Sequence, residues 1–299
     1  MTKQLKNRIK REYQGYLWIL PAFALLFTFS YYPALSAFCY SMTNWDGASL
    51  MEWQAFQNFA SLFRDMVFYK SVGNMLLLLA AGLVAGNLMT IFLAELLFNL
   101  RSSRMSKIYR YLFILPILVP GIVFMLLWQR VILSPNANGL MNRILSLFGA
   151  ERSLWYYGES TVLLSIFITG FPWVGGTSFL IYLAGLQNIP DSVLEAGKLD
   201  GITVFKRILY IDLPLIKSQL KYFLVLGIIG GIQNYGLQYL ITKGGPSNNA
   251  SMVPGYYMFQ KAFNHSEFGY ACAIGVVLFF AILAITIINL KFVKGNEEF

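Results

Sequence analysis

The chain has 299 residues, of which 57% are hydrophobic and 12% charged, about half the roughly 25% charge of an average soluble domain, and its mean hydropathy is +0.57. So few charges cannot cover a water-facing surface, and so many apolar residues exclude a disordered chain. Two cysteines exclude a disulfide scaffold, and the formal charge of +9 calls for an explanation by position rather than by amount.

Crossing roughly 30 Å of hydrocarbon takes a helix of about 20 apolar residues. Six such runs follow one another, at residues 16–40, 72–98, 109–133, 161–186, 222–241 and 270–292. The expected fold class is therefore all-α: a polytopic membrane protein of six transmembrane helices, divided into residues 1–70 (tail, first span and outer loop) and 71–299 (spans 2–6). The first run follows a basic stretch, as a cleaved signal peptide would. At about 23 residues, however, it exceeds the 7–15 of a signal core. Sixteen of the 23 Lys and Arg fall on one side of this arrangement, including Lys3, Lys6, Arg8, Lys10 and Arg11 in the tail and Lys291 and Lys294 at the other end. Positive charge stays inside, so both termini are expected in the cytoplasm. Anionic lipid headgroups account for the rest of the basic character, and no nucleic-acid partner is expected.

Within the spans, Gly82-xxx-Gly86 and Gly227-xxx-Gly231 offer grooves for close helix packing. Pro116, Pro120 and Pro172, the last flanked by Gly170, Gly175 and Gly176, each remove a backbone hydrogen bond and bend their helices. Glu95 lies about 9 Å from Arg101 along its helix and is expected to snorkel to the inner surface. No carboxylate relay, arginine series or selectivity-filter motif appears. A phosphate-binding loop is missing too, and the single His265 cannot form a metal cluster. No catalytic residue, metal or cofactor is expected in this chain. Cys39 and Cys272 fall near outer span ends, as a pair or as separate thiols. Two glycosylation sequons, at Asn249 and Asn264, are short patterns that recur by chance.

The loop at residues 188–214 is the most informative stretch. Ser192 with Glu195 reads as a capping box opening a helix, and Asp200-Gly201 as the turn that stops it. Thr203 caps a second short helix that is expected to end before Pro214. Val204, Ile208 and Ile211 then fall on one apolar stripe. Composition alone leaves two readings open, a protruding amphipathic elbow and a loop lying on the headgroups. The spacing resembles the EAA signature of ATP-binding-cassette importer permeases, in which E-A-A is followed by D-G and then by an apolar L-P. Glu195, Ala196, Asp200, Gly201, Phe205, Ile211, Leu213 and Pro214 match it. Gly197 stands where Ala is usual, and Ile202 where a small residue follows the glycine. Thr43-Asn44-Trp45-Asp46-Gly47 with Asn58-Phe59, Leu183-Ala184-Gly185-Leu186-Gln187, Gly244-Gly245-Pro246 and Phe268-Gly269-Tyr270 are similar to the carbohydrate-uptake, maltose-type branch.

The resemblance implies a half-pore in a bacterial inner membrane. Its partners would be a second homologous permease subunit, two ATPase subunits that bind ATP and Mg, and an extracellular solute-binding protein that delivers a sugar or oligosaccharide. It also implies that Glu195, Ala196, Gly197, Asp200, Gly201 and Phe205 make the ATPase contact, although Glu195 has the alternative role of helix cap. For the solute path the residues offer Gln233, Asn234, Tyr235 and Gln238 on span 5, with Asn87, Gln129 and Trp173 as secondary candidates. Polar groups in lipid must face the protein or a wet cavity, so each is either a sugar ligand or an inter-helix hydrogen bond. The rivals are a permease for another solute such as glycerol phosphate, an ion-coupled secondary transporter and a membrane-embedded enzyme. The near absence of Arg and Lys from the spans argues against an anion such as glycerol phosphate, the lack of buried carboxylates against ion coupling, and the lack of clustered His, Asp or Cys within the spans against an enzyme.

Overall fold

A computed structural model of the chain describes residues 3–48 and 51–292, with residues 3–12, 14, 290 and 292 described by their backbone alone. The tail cations Lys3, Lys6, Arg8, Lys10 and Arg11 and the terminal Lys294 therefore lie outside the described side chains. The regular secondary structure of the described residues is helical apart from one isolated bridge, Thr43 to Trp53.

In chain order, α1 (Lys3–Leu26) continues through a π turn at Phe27–Tyr31 into α2 (Tyr32–Tyr40), and α3 (Gln57–Leu62) precedes α4 (Met66–Phe98). Then α5 (Ser103–Ile114) passes through a 3-10 turn, Leu115–Leu118, to α6 (Gly121–Leu127) and a π turn, Trp128–Ile132. Next come α7 (Leu140–Leu147), α8 (Val162–Thr169), α9 (Gly176–Gln187) and α10 (Asp191–Leu199). Helix α11 (Val204–Arg207), a π turn at Ile208–Asp212 and α12 (Leu213–Leu215) lead into α13 (Lys217–Gln233) and a further π turn, Gln238–Thr242. Finally α14 (Pro254–Phe259) and the π turn Gln260–Asn264 precede α15 (Phe268–Phe292). These helices fall into two compact units, one running to Arg64 with Met258–Val277 added, the other made of Asp65–Tyr257 and the residues from Leu278.

In the first unit the loop after α2 is stitched by its own sequence. Asn58 donates to the carbonyls of Ser41 (2.9 Å) and Thr43 (2.7 Å), and Gly269 donates to Trp45 at 2.9 Å. A Cβ on Gly269 would stand 2.0 Å from the Thr43 carbonyl oxygen, so only glycine permits this approach. Trp45 packs its ring on Tyr40 and on Phe268. Both thiols of this unit, Cys39 and Cys272, are free.

In the second unit α4 is the central helix, capped at its start by Asp65, whose side chain accepts from Val67 and Phe68. It packs along α9 and α13. The Gly227/Gly231 groove of α13 receives Leu79 and Leu83 of α4, whose methyls come within 2.4–2.5 Å of where added Cβ atoms would sit. Four residues apart on one helix face, these leucines fit glycines four apart on the other. The Gly82/Gly86 groove is different: nothing lies within 4 Å of a Cβ at Gly82, and at Gly86 only the Trp173 carbonyl does, at 3.8 Å. One apolar core joins Ala94 and Leu97 of α4 to Phe179, Tyr182, Leu183 and Leu186 of α9. Another surrounds Trp128, Tyr156 and Ile166.

Among the described residues four helices are long and apolar enough to cross a membrane: Gly15–Tyr40, Met66–Phe98, Lys217–Thr242 and Phe268–Asn289. Two of the six expected spans, the proline-bearing third and fourth, are not single continuous helices. The third is a pair, Ser103–Leu118 and Gly121–Ile132, bent by 90° where Pro116 and Pro120 interrupt the ladder. The fourth is two shorter helices, α8 and α9, parted by Gly170–Gly175 around Pro172. Even the fifth loosens at Asn234, whose backbone turns extended (ψ 122°).

Candidate coupling elbow and mid-span cavity

The elbow begins where α9 ends at Gln187 and Pro190 starts α10. The Ser192–Glu195 capping box does not form: the cap lies two residues earlier, at Pro190, with no side-chain cap bond and with Asp191 in the first turn. Pro190 has the non-helical backbone of a cap residue (φ −59°, ψ 136°), and its carbonyl already accepts from the amides of Val193 (3.0 Å) and Leu194 (3.4 Å), so the helix is under way before Ser192 could cap it. The stop is as expected. Gly201 has φ +69° and donates to Lys198 (3.1 Å), while Ile202 donates back to Gly197 (3.1 Å). This crossed pair is a Schellman ending, which a left-handed glycine makes cheap.

Gly197 is buried, and the Ile211 methyl lies 3.1 Å from where its Cβ would be. The missing side chain brings α10 against the second half of the elbow. Thr203 caps α11, accepting from the Lys206 amide. The second helix does not stop before Pro214. It runs on through the Ile208–Asp212 π turn into α12, where Pro214 lies. The π turn rotates the expected stripe, so Val204 is exposed while Ile208 and Ile211 are half-buried.

Glu195, Ala196, Asp200 and Gly201 are exposed on the outer side of this elbow. Leu199 is 89% exposed and Phe205 71%. Beneath them, Gly197, Asp212 and Ile216 are buried. Glu95 does not snorkel. It is 4% exposed and lies 3.8 Å from the Arg207 guanidinium, which also donates to Asp212 Oδ2 (2.9 Å) and Asn99 Oδ1 (2.6 Å). Sequence reasoning passed over Asn99, Arg207 and Asp212. The one signal was a lone aspartate in the apolar run before Pro214.

The second feature is a cavity of about 440 Å³ inside the second unit. Its walls are Met75, Leu79 and Leu83 of α4, Gly121, Phe124 and Met125 of α6, Phe167, Gly170 and Trp173 around the α8–α9 break, and Gly227, Gly231, Asn234 and Gln238. None of the residues lining it is charged. It lies where three helices are interrupted. Trp173 is held in a left-handed conformation (φ 55°). Its Nε1–H donates to the Phe167 carbonyl at 3.0 Å, and its ring stacks on that of Phe167, 4.9 Å between centroids. A second cavity, about 700 Å³, is almost wholly apolar, with Thr177 and Ser178 as its hydroxyls.

Of the seven residues offered for the solute path, three line the smaller cavity together: Trp173, Asn234 and Gln238. Asn234 spends its Oδ1 on the Gly236 amide at 3.2 Å. Asn87 accepts from the Tyr182 hydroxyl (2.7 Å) and Gln129 donates to that of Tyr157 (3.0 Å), so each bonds a neighbouring side chain. Tyr235 packs toward Gly255, and Gln233 is exposed; neither reaches the cavity walls. The aromatic walls Phe124 and Phe167 were not read from the sequence, because nothing in an apolar run marks which Phe faces a void.

A profile of the family described as "Binding-protein-dependent transport system inner membrane component" matches residues 82–294. The chain belongs to this family. It is 30% identical over 287 residues to the probable ABC transporter permease protein YurN of Bacillus subtilis, covering 95% of this chain and 97% of that one. To the arabinooligosaccharides transport system permease protein AraP of the same organism it is 29% identical over 281 residues, covering 92% and 87%. To the multiple sugar-binding transport system permease protein MsmF of Streptococcus mutans it is 25% identical over 295 residues, covering 97% and 99%. A crystal structure of a bacterial ABC transporter involved in the import of the acidic polysaccharide alginate superposes with a TM-score of 0.85 at 23% identity, covering 99% of this chain and all of that one. The fold is thus the ABC permease fold, and the protein is a multi-pass inner-membrane permease component.

Proposed function

We propose that this chain forms one half of the translocation path of an importer for a neutral sugar or oligosaccharide. Its elbow, residues 188–214, docks on a separate ATPase that binds ATP and Mg. A second, related permease subunit completes the pore, two ATPase subunits drive it, and a binding protein outside the membrane delivers the solute. Both chain ends lie in the cytoplasm on this reading, a placement that the distribution of Lys and Arg supports.

The observation that carries the proposal is the build of the elbow. Its base is buried and bonded, while its tip presents Leu199 and Phe205 at 89% and 71% exposure beside Glu195 and Asp200. Large apolar groups held rigidly in the open suit a protein partner better than water. The relatives' names support the solute class: arabinooligosaccharides for AraP, galactooligosaccharides for GanP. So does a second alginate transporter structure, solved with an alginate pentasaccharide-bound periplasmic protein. The uncharged cavity favours a neutral sugar over a uronate such as alginate, since a buried carboxylate there would find no cation.

The test is coupling in proteoliposomes holding the complete complex and its binding protein. Glu195→Lys and Gly201→Val should insert in the membrane normally and lower solute uptake per ATP by about 10-fold or more. The valine also meets a left-handed backbone that costs about 1–2 kcal/mol for a residue with a Cβ. Wild-type coupling in both variants would remove the docking proposal.

A further inference from the structure

We propose that Arg207 is a positioning residue for transport, the tie by which a displaced elbow moves α4 and with it the wall of the cavity. The inference rests on the docking reading above and assigns the next link inward.

Arg207 closes α11, and its guanidinium reaches two bodies at once. Within the elbow, Nε donates to Asp212 Oδ2 at 2.9 Å. Across 108 positions of sequence, Nη2 donates to Asn99 Oδ1 at 2.6 Å and stands 3.8 Å from Glu95 Oε2. Its carbon lies 5.5 Å from the centre of the Phe98 ring. Asn99 is the residue that ends α4, and its Nδ2 is spent on α4 itself, on the Glu95 carbonyl (2.7 Å) and carboxylate (3.3 Å). The fork therefore grips the last turn of α4 through a cap that is locked to that turn.

Simple adhesion does not explain this construction. Glu95 and Asp212 are 4% and 0% exposed, and a buried ionic cluster stabilises no better than well-packed apolar residues of the same size. What a planar guanidinium fork adds is direction: two donors in one plane fix the angle between the parts they join. Two carboxylates share the one fork, and Glu95 Oε1 and Asp212 Oδ1 are buried without a hydrogen bond. These spare acceptors let the guanidinium slide between elbow and helix without leaving carboxylate reach. Leu83 lies twelve residues up the same unbroken helix from Glu95, about 18 Å at 1.5 Å per residue, and there it lines the cavity. A pull at Asn99 reaches the cavity through one stiff element.

The experiment uses the complete complex with its binding protein in proteoliposomes and reads solute taken up per ATP hydrolysed, together with co-purification of the ATPase. Arg207→Gln should co-purify at the wild-type ratio and lose about 10-fold or more in uptake per ATP; Arg207→Lys, which keeps the charge but not the fork, should recover part of the loss. Asn99→Leu removes the acceptor on α4 and leaves the Arg207–Asp212 pair inside the elbow. It carries the same expectation and decides the matter should Arg207→Gln fail to assemble. Wild-type coupling in the assembled variants would overturn the tie. Glu195→Lys separates the two levels. If it uncouples while Asn99→Leu and Arg207→Gln do not, only the tie is lost; if it and Gly201→Val both stay coupled, the docking reading falls with it.

Discussion

At the elbow three ionisable side chains, Glu95, Arg207 and Asp212, are gathered within one buried contact, whereas the cavity lined by the same helix, α4, has no charged residue on its walls. The elbow is continuous and capped, with a left-handed glycine and a threonine fixing its two corners. Around the cavity the helices break, at Val119–Pro120, at Gly170–Gly175 and at Asn234. The contrast fits the two proposed roles. A contact that passes on motion gains from directional, strong pairing. A passage for a neutral solute must hold it weakly, and a fixed charge would retain water or counterions instead. On the proposed reading, broken helices would offer such a solute hydrogen-bonding groups without any charge.

The comparison can be broken most sharply by moving a charge into the neutral region. Gln238 is 3% exposed at the cavity wall. Gln238→Glu is nearly isosteric and should lower uptake by about 10- to 100-fold, the order of 1.4–2.8 kcal/mol, while the ATPase still co-purifies. Uptake at the wild-type rate would mean that the cavity is not on the path. A smaller effect tests the packing that shapes the cavity. Gly231→Leu drives a side chain into the space held by Leu79 and should cost about 1–3 kcal/mol as overpacking, read as a lowered melting temperature of the purified protein. Gly231→Ala needs only a methyl to swing aside and should change stability little, since alanine also gains about 1 kcal/mol of helix propensity.

These regions also differ in how far the sequence disclosed them. Composition was enough for an all-helical membrane chain, and spacing was enough for the elbow, because Asp200-Gly201 and Thr203 act on their own neighbours. Partners far apart in sequence were out of reach. Arg207 looked like one more inward-side cation, and Glu95 a snorkelling acid, until folding placed them 3.8 Å apart. The cap at Ser192 failed because Pro190 had already started the helix. Prolines announced bends but not their size, and the 90° turn before Gly121 depends on packing that no local pattern contains. Of the polar residues on span 5, only Asn234 and Gln238 line the cavity, since the break at Asn234 turns its neighbours away.

The most direct test of the account is the chemical accessibility of the elbow's tip. With Cys39 and Cys272 replaced by Ser, a Phe205→Cys chain in inside-out vesicles is treated with a membrane-impermeant maleimide, with and without its ATPase subunits. The account predicts rapid labelling of the chain alone and labelling slowed by about 10-fold or more in the assembled complex. Equal rates in the two preparations would contradict it.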